Sequence, residues 1–399
     1  MGCRYVLGEL CEFRRGASIP RACMLDKGGY LYIHYGDLYK GFSYRIDVKH
    51  PQKPIPHIRS DEKIKDSQWL EDQDIVYVLT SETVDDLGHA FLFNNPEHMP
   101  AVSGTETTIV HVNRPNVVIP AYLNYLMHAP LFARMLRQYV RGMKVFRVHP
   151  DDVARIEVDV PTLDKQRKIV SMLDVIQVKL CINSHTNDYL AALIRLEFDR
   201  RFSRETPTID LGDVMSISTQ SIKPNDHIGE IWEHYSIPAY DEMHRPIFEL
   251  ADGIKSNKYV IDSDCILVSK LNPSTKRLWL PRCTSKTSVC STEFIVYRPK
   301  KVRYKSFYYA AIDSETFFAF LLSHVTGSTG SRQRSQPKAT LNYPIPNPDA
   351  REIEDFCEFA DPLIAQQQSN EQETDDLIRL RDTLLPKLIS GELNIDKIV

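Results

Sequence analysis

The sequence predicts an α+β protein: two tandem, pseudo-twofold-related α/β domains, each closed by a long helix, with the two helices pairing as an antiparallel coiled coil. Three observations carry this prediction. The second half of the chain repeats the first, short branched and aromatic runs recur between turn formers in both halves, and two helical stretches share one seam.

The repeat is a series of short echoes kept in one order. Leu7-Gly8-Glu9-Leu10 returns as Leu211-Gly212-Asp213-Val214, and Asp72-Gln73-Asp74-Ile75-Val76 as Asp262-Ser263-Asp264-Cys265-Ile266. Val102-Ser103-Gly104-Thr105-Glu106 matches Val289-Cys290-Ser291-Thr292-Glu293, and Arg114-Pro115 matches Arg298-Pro299. The aromatic stretch at Tyr122-Leu123-Asn124-Tyr125 then answers Phe307-Tyr308-Tyr309-Ala310. A glycine-containing basic loop follows in each half, then a boundary at Val160-Pro161 or Ile345-Pro346, then a long helix. So long a period describes a duplicated domain, since solenoid units run roughly 20 to 50 residues. Within each half, Asp74–Leu79 and Phe294–Tyr297 read as short buried strands, being rich in branched and aromatic residues.

The closing helices come next. From Asp164 to Phe202 the seam steps by four and three through Ile169, Leu173, Ile176, Leu180, Asn183, Asn187, Leu190 and Ile194. From Asp349 onward the same register runs through Ile353, Cys357, Ala360, Ile364, Gln367, Glu371, Thr374 and Ile378. Both seams turn polar at their middle, a device that lowers stability and fixes register. Asp349-Ala350-Arg351-Glu352 has the form of a capping box, and Asp164 offers a carboxylate to the other helix start. Pro362 predicts a break or kink, with a short helix before it, a long one after it and a stop near Pro386. The plainer alternative is that each stretch is only a core helix of its own domain. Paired antiparallel, ~25 to 30 residues at 1.5 Å each span ~40 Å, about one turn of duplex DNA plus a few base pairs. The resulting partition is a first domain at 1–160, a spacer helix at 161–206, a second domain at 207–346 and a closing helix and tail at 347–399.

Composition narrows the class. A chain of 399 residues suits two domains plus connecting helices, and 42% apolar with 26% charged residues excludes a disordered protein. No apolar run reaches ~18 residues and the start lacks a secretory pattern, so the expectation is a cytoplasmic protein with no membrane partner. Eight cysteines without CxxC spacing read as reduced core thiols. Catalytic signals are missing. There is no GxxxxGK[ST] loop, HExxH or Asn/Asp-Pro-Pro-Tyr element, and the acid pairs Asp85-Asp86, Asp151-Asp152 and Asp375-Asp376 suit capping or solvation better than magnesium. No metal ligands, catalytic residues or cofactor of its own are expected.

Three segments resemble the specificity subunits of type I restriction-modification systems, and the resemblance extends over essentially the whole chain. They are the tail Leu380-Arg381-Asp382-Thr383-Leu384-Leu385-Pro386-Lys387-Leu388-Ile389-Ser390-Gly391-Glu392-Leu393, the boundary Pro161-Thr162-Leu163-Asp164-Lys165-Gln166-Arg167-Lys168-Ile169-Val170, and Ser291-Thr292-Glu293-Phe294-Ile295-Val296-Tyr297-Arg298-Pro299. The resemblance implies two target recognition domains, each reading half of a split site on double-stranded DNA, with paired helices setting the unspecified spacer. It also implies docking of two modification subunits that bind S-adenosylmethionine and methylate adenine. Restriction subunits that use ATP and Mg2+ complete the assembly. The chain departs from the family at Pro161-Thr162, where paired prolines are common, and at Leu196–Phe202, which lacks the family's tail.

On that reading the equivalent loops are the candidate DNA contacts: Arg137, Arg141, Lys144, Arg147 and His149 in the first domain, and Ser328, Arg332, Gln333, Arg334 and Lys338 in the second. Glycine lets backbone amides approach phosphate, while Arg and Gln reach base edges with paired hydrogen bonds. Lys270, Lys276 and Arg277 form a second basic loop, and Arg14-Arg15 a third. Solvated surface loops remain the alternative, and Tyr30, Tyr32, His34, Tyr35 and Tyr39 are expected mainly to pack. The net charge of −4 favours the rival class, a protein–protein scaffold with duplicated interaction domains.

Overall fold

In the computed structural model the described residues are 2–39, 42–84, 86–202, 207–326 and 333–397. The chain divides into two compact units: Met1–Cys181 with Asp375–Val399, and Ile182–Thr374.

In the first unit the central strand Ile75–Val78 is buried along its whole length. That is the consequence of four branched or aromatic residues following a tight turn in which Gln73 takes a φ of 69°. It pairs antiparallel with Thr107–Val112 and His89–Asn94, and Cys11–Arg15 and Arg45–Asp47 complete a five-stranded sheet. A second small sheet sets Tyr30–Ile33 parallel to Ala101–Ser103. The second unit repeats this order. Met215–Ser218, Phe294–Pro299, Ile266–Ser269 and Leu278–Trp279 form its first sheet, and Ile231–Tyr235 lies parallel to Ser288–Ser291 in its second. In both units an antiparallel two-stranded clasp brings the start of the domain to its end, Cys3–Val6 to Glu157–Val160 and Thr208–Asp210 to Pro344–Pro346.

The two long helices, Leu163–Arg201 and Ala350–Ile389, contribute to both cores. In the first unit Ile169 and Leu173 share a core with Leu385, Leu388 and the tail residue Ile395. Asp174 ties this stretch to the sheets by accepting from Arg45 and from Tyr125 Oη, and the Arg381 guanidinium lies 4.6 Å from the Tyr44 ring centroid. In the second unit Ile194, Phe198 and Phe202 pack with Ile353, Phe356, Cys357, Ala360 and Ile364. Phe198 lies 5.4 Å from both Phe307 and Phe356, and each such ring pair is worth about 0.5–1.5 kcal/mol beyond area burial. The polar middle of the seam falls in this unit. Asn183 Nδ2 donates to Glu373 Oε2 (2.9 Å), Asn370 Nδ2 to Asn187 Oδ1 (2.8 Å), and Gln367 Nε2 to the Asn187 carbonyl (2.9 Å), so the helices run antiparallel.

Several expectations change. The C-terminal helix is continuous through Pro362 and Pro386. An interior proline costs ~3 kcal/mol. Pro362 points to solvent while Ile353, Phe356, Cys357, Ala360 and Ile364 are buried on either side of it, and at ~1.5–3 kcal/mol per large apolar side chain that burial wins. Asn370 takes the seam place expected for Glu371, whose carboxylate faces Arg282 at 3.7 Å. Leu180, Leu190 and Ile378 are only half-buried. Of the cysteines, Cys11, Cys265, Cys290 and Cys357 are buried core thiols, whereas Cys3 is exposed and the rest intermediate. The capping box is present, with Glu352 N donating to Asp349 Oδ1 (2.9 Å) and Asp349 N to Glu352 Oε2 (3.0 Å). No helix among the described residues is long and apolar enough to cross a membrane.

The tail is part of the first unit's core, since Ile395 is only 3% exposed. Ile395→Ala should cost about 2–5 kcal/mol in chemical denaturation and speed amide exchange in the strand Ile75–Val78. An unchanged midpoint would show that the tail packs without holding the unit.

Candidate nucleic-acid interface

Each candidate stretch is set by short antiparallel pairings, Arg141 with Arg147 in the first unit and Val325–Thr326 with Arg334–Ser335 in the second. In the first unit Arg141 and Arg147 bond each other reciprocally through their backbones (2.9 and 2.8 Å), and Phe146–Arg147 pairs with Thr80–Ser81 just past the central strand. Gly142 makes this turn possible. Its φ is +111°, and a Cβ there would lie 2.1 Å from the Val145 carbonyl oxygen. The tip is fully presented, with Met143 94% exposed and Lys144 also exposed. In the second unit Val325–Thr326 pairs with Arg334–Ser335. The outgoing strand lies against the basic loop that begins at Lys270, with Ser335 N donating to the Lys270 carbonyl and Asn272 N to the Gln333 carbonyl, both 2.9 Å. Two stretches separated by about sixty residues in the sequence thus form one surface.

An ion pair at the hairpin base recurs in both units. Arg147 Nε lies 3.7 Å from Glu106 Oε2, and Thr80 Oγ1 also donates to Glu106 (2.6 Å). Arg334 Nε donates to both Glu293 oxygens (3.1 and 3.0 Å) and Nη2 to Oε1 (2.8 Å), which raises the Arg334 guanidinium above its ordinary pKa. Glu106 and Glu293 are the residues aligned by the sequence repeat, and Arg147 and Arg334 stand at the same offset from them.

The remaining candidates divide. Arg137 is exposed on the last turn of the helix Pro130–Arg137, and Lys338 on the turn Pro337–Asn342. Arg141 pairs with the buried Asp152 at 2.9 Å but keeps 74% of its side chain exposed. Arg15 Nη2 meets His149 Nε2 at 2.7 Å, bringing the third basic stretch beside the first hairpin. Lys270 is half-buried, and Lys276 is held by the largely buried Asp313 (2.5 Å). Arg277 is turned inward: it is 7% exposed, and its guanidinium grips Asp241 at 2.6 and 2.9 Å. Ser328 and Arg332 lie outside the described residues. Tyr32 is fully buried, with its hydroxyl donating to the Ala17 carbonyl (3.0 Å), so it packs as expected. Sequence reasoning missed Glu106, Glu293, Asp152 and Asp313. The shared offset of the two Arg–Glu pairs was the signal that could have found the first two.

Gly142→Ala is expected to open the first hairpin and raise amide exchange at Arg141 and Arg147 by about tenfold or more. Protection kept in the variant would mean that the backbone needs no glycine there.

No curated protein matches the sequence significantly. Residues 4–190 match the model of the type I restriction modification DNA specificity domain. Among solved structures, the S subunit of a type I restriction-modification system from M. genitalium is 13% identical over 97% of this chain and 96% of its own, with a TM-score of 0.55. The HsdS subunit from Thermoanaerobacter tengcongensis is 16% identical over 98% and 97%, with a TM-score of 0.37. Residues 4–190 are thus similar to the type I restriction modification DNA specificity domain, and the fold over nearly the whole length resembles that of the M. genitalium S subunit.

Proposed function

We propose that this chain is the DNA-reading component of a type I restriction-modification assembly, with the domains at 1–160 and 207–346 each reading one half of a bipartite site. The observation that carries this reading is the repeated cationic hairpin. Similarity to a DNA specificity domain points to the substrate, and each unit sets an exposed arginine on a glutamate, Arg147 on Glu106 and Arg334 on Glu293. Lys144 and Lys338 supply phosphate contacts, while Arg141, Arg147, Gln333 and Arg334 have the donors that base edges require.

The long helices have two roles in this reading: they set the spacer and dock two modification subunits. Within the second unit, Ile182, Tyr189, Leu193 and Leu196 are exposed on the face of the central helix opposite its buried seam, at helical spacing. A stripe of that kind suits a partner helix. The partners supply S-adenosylmethionine chemistry, and restriction subunits supply ATP- and Mg2+-dependent steps. The chain itself is non-catalytic and works in the cytoplasm, where its DNA is.

Duplex binding should fall steeply with salt. Lys144→Ala should weaken it across sequences and lower the slope of log K against log salt by about 1. Replacing residues 1–158 with those of another family member should change one half-site only, and about four residues inserted near Asn187, ~6 Å of helix, should lengthen the spacer alone. A protein that binds no DNA at low salt would be the scaffold instead.

A further inference from the structure

Both units keep an Arg–Glu pair at one and the same place in the sheet. Val78 lies opposite Thr107 in the first unit and Ser269 opposite Phe294 in the second. Glu106 and Glu293 immediately precede Thr107 and Phe294, while Thr80 and Leu271 stand two residues beyond Val78 and Ser269. Against those two backbone positions Arg147 and Arg334 are paired. Strand register thus matches the two pairs independently of their offset in the sequence.

The surroundings differ while the pair is kept. Thr80 donates its hydroxyl to Glu106 Oε2 (2.6 Å), whereas Leu271 has none to give, and there Arg334 takes both oxygens of Glu293. Stability does not explain the recurrence, since the four side chains are 26–59% exposed and exposed ion pairs contribute little. A phosphate contact does not explain it either, because a carboxylate beside the guanidinium repels phosphate. The edge of a base pair is another matter.

The second pair shows the geometry. Arg334 Nε donates to both Glu293 oxygens and Nη2 donates to Oε1, so the carboxylate takes the Nε side of the guanidinium. That leaves the end of the fork, Nη1 with the second hydrogen of Nη2, for another partner. Donor, donor and acceptor then stand in a row, with Nη2 and Oε1 2.8 Å apart. In the major groove a G·C pair presents guanine N7 and O6 as acceptors and the cytosine N4 amino group as donor, with O6 and N4 themselves hydrogen-bonded at about 2.9 Å. The two rows are complementary. An A·T pair in either orientation puts a donor in the middle, and a reversed G·C pair puts one first, so each sets an arginine N–H against an amino group. We propose that each Arg–Glu pair reads one G·C base pair, Arg147 with Glu106 in one half-site and Arg334 with Glu293 in the other, arginine taking guanine and glutamate accepting from cytosine N4. This rests on the DNA-reading role proposed for the chain and adds a fixed G·C pair to both half-sites.

The test is selection of bound duplexes from a randomised pool by the full chain, followed by sequencing. Each half-site should contain an invariant G·C pair, and 7-deazaguanine at that position, which lacks the N7 acceptor, should weaken binding about tenfold. Arg147→Ala should relax that position in one half-site and Arg334→Ala in the other. Exchanging the second pair, Arg334→Glu with Glu293→Arg, keeps the ion pair and reverses the row; this variant should keep the Tm and lose the guanine preference, which a purely structural pair would not do. The proposal is overturned if either half-site lacks the G·C pair, if the exchanged variant selects the same sequences, or if the alanine variants weaken all duplexes alike and lower the salt slope, as loss of a phosphate contact does. A pool from which nothing is enriched would overturn the DNA reading itself, and this assignment with it.

Discussion

Each unit is completed by helical segments that are remote in the sequence, and the rest of the structure depends on that closure. In the first unit Ile169 and Leu173 meet Leu385 and Leu388, while in the second Phe198 and Phe202 meet Phe356 and Ala360. The first unit leaves off at Cys181 and resumes at Asp375. Joining such distant segments costs little more than joining near ones, because loop-closure entropy grows by only ~0.6 kcal/mol per doubling of length. The apolar area that the helix ends bury is ample for that. Without it the clasps Cys3–Val6 with Glu157–Val160 and Thr208–Asp210 with Pro344–Pro346 would lack the core beneath them.

The sheets that this closure stabilises carry the hairpins. The turn Arg141–Arg147 is not free to wander, because Phe146–Arg147 is hydrogen-bonded to Thr80–Ser81 just past the buried strand Ile75–Val78. In the second unit Arg334–Ser335 is fixed in the same way by backbone bonds to the loop starting at Lys270. Flexible cationic side chains are thus mounted on rigid backbone, which limits the ordering cost of any contact they make.

Much of this was legible from local pattern. The duplication, the buried strands, the apolar seam and the Asp349–Glu352 cap all rest on residues within a few positions of one another, where periodicity and capping rules operate. Pro362 was misread because propensity weighs one residue, while the helix is held by the side chains buried on both sides of it. Glu371 was misread because a heptad template cannot see Arg282, which draws its carboxylate away from the seam and leaves the place to Asn370. The inward turn of Arg277 escaped for the same reason: Asp241 is thirty-six residues distant, and a basic loop looks alike whether its cations face solvent or a buried carboxylate. Alignment of the two halves was the one long-range signal in the sequence. It contained the Arg–Glu pairs, because a contact present twice keeps the same offset twice.

The acidic net charge of −4 and the cationic hairpins are compatible once the placement of the carboxylates is considered. Glu106, Glu293, Asp152 and Asp313 each pair with a candidate cation, Arg147, Arg334, Arg141 and Lys276 in turn. How readily a cation changes partner depends on its exposure. An exposed ion pair is worth only ~0–1 kcal/mol. Arg147 and Arg334, with side chains 59% and 45% exposed, therefore give up their glutamates at small cost. Arg277 is different. Its side chain is 9% exposed, and separating it from Asp241 would strand a buried charge, a loss of about 3–5 kcal/mol. The same residue type at neighbouring places in one loop system thus serves two ends: inward arginine fixes the loop's shape, and outward arginine is held in place by a carboxylate that it can leave at small cost.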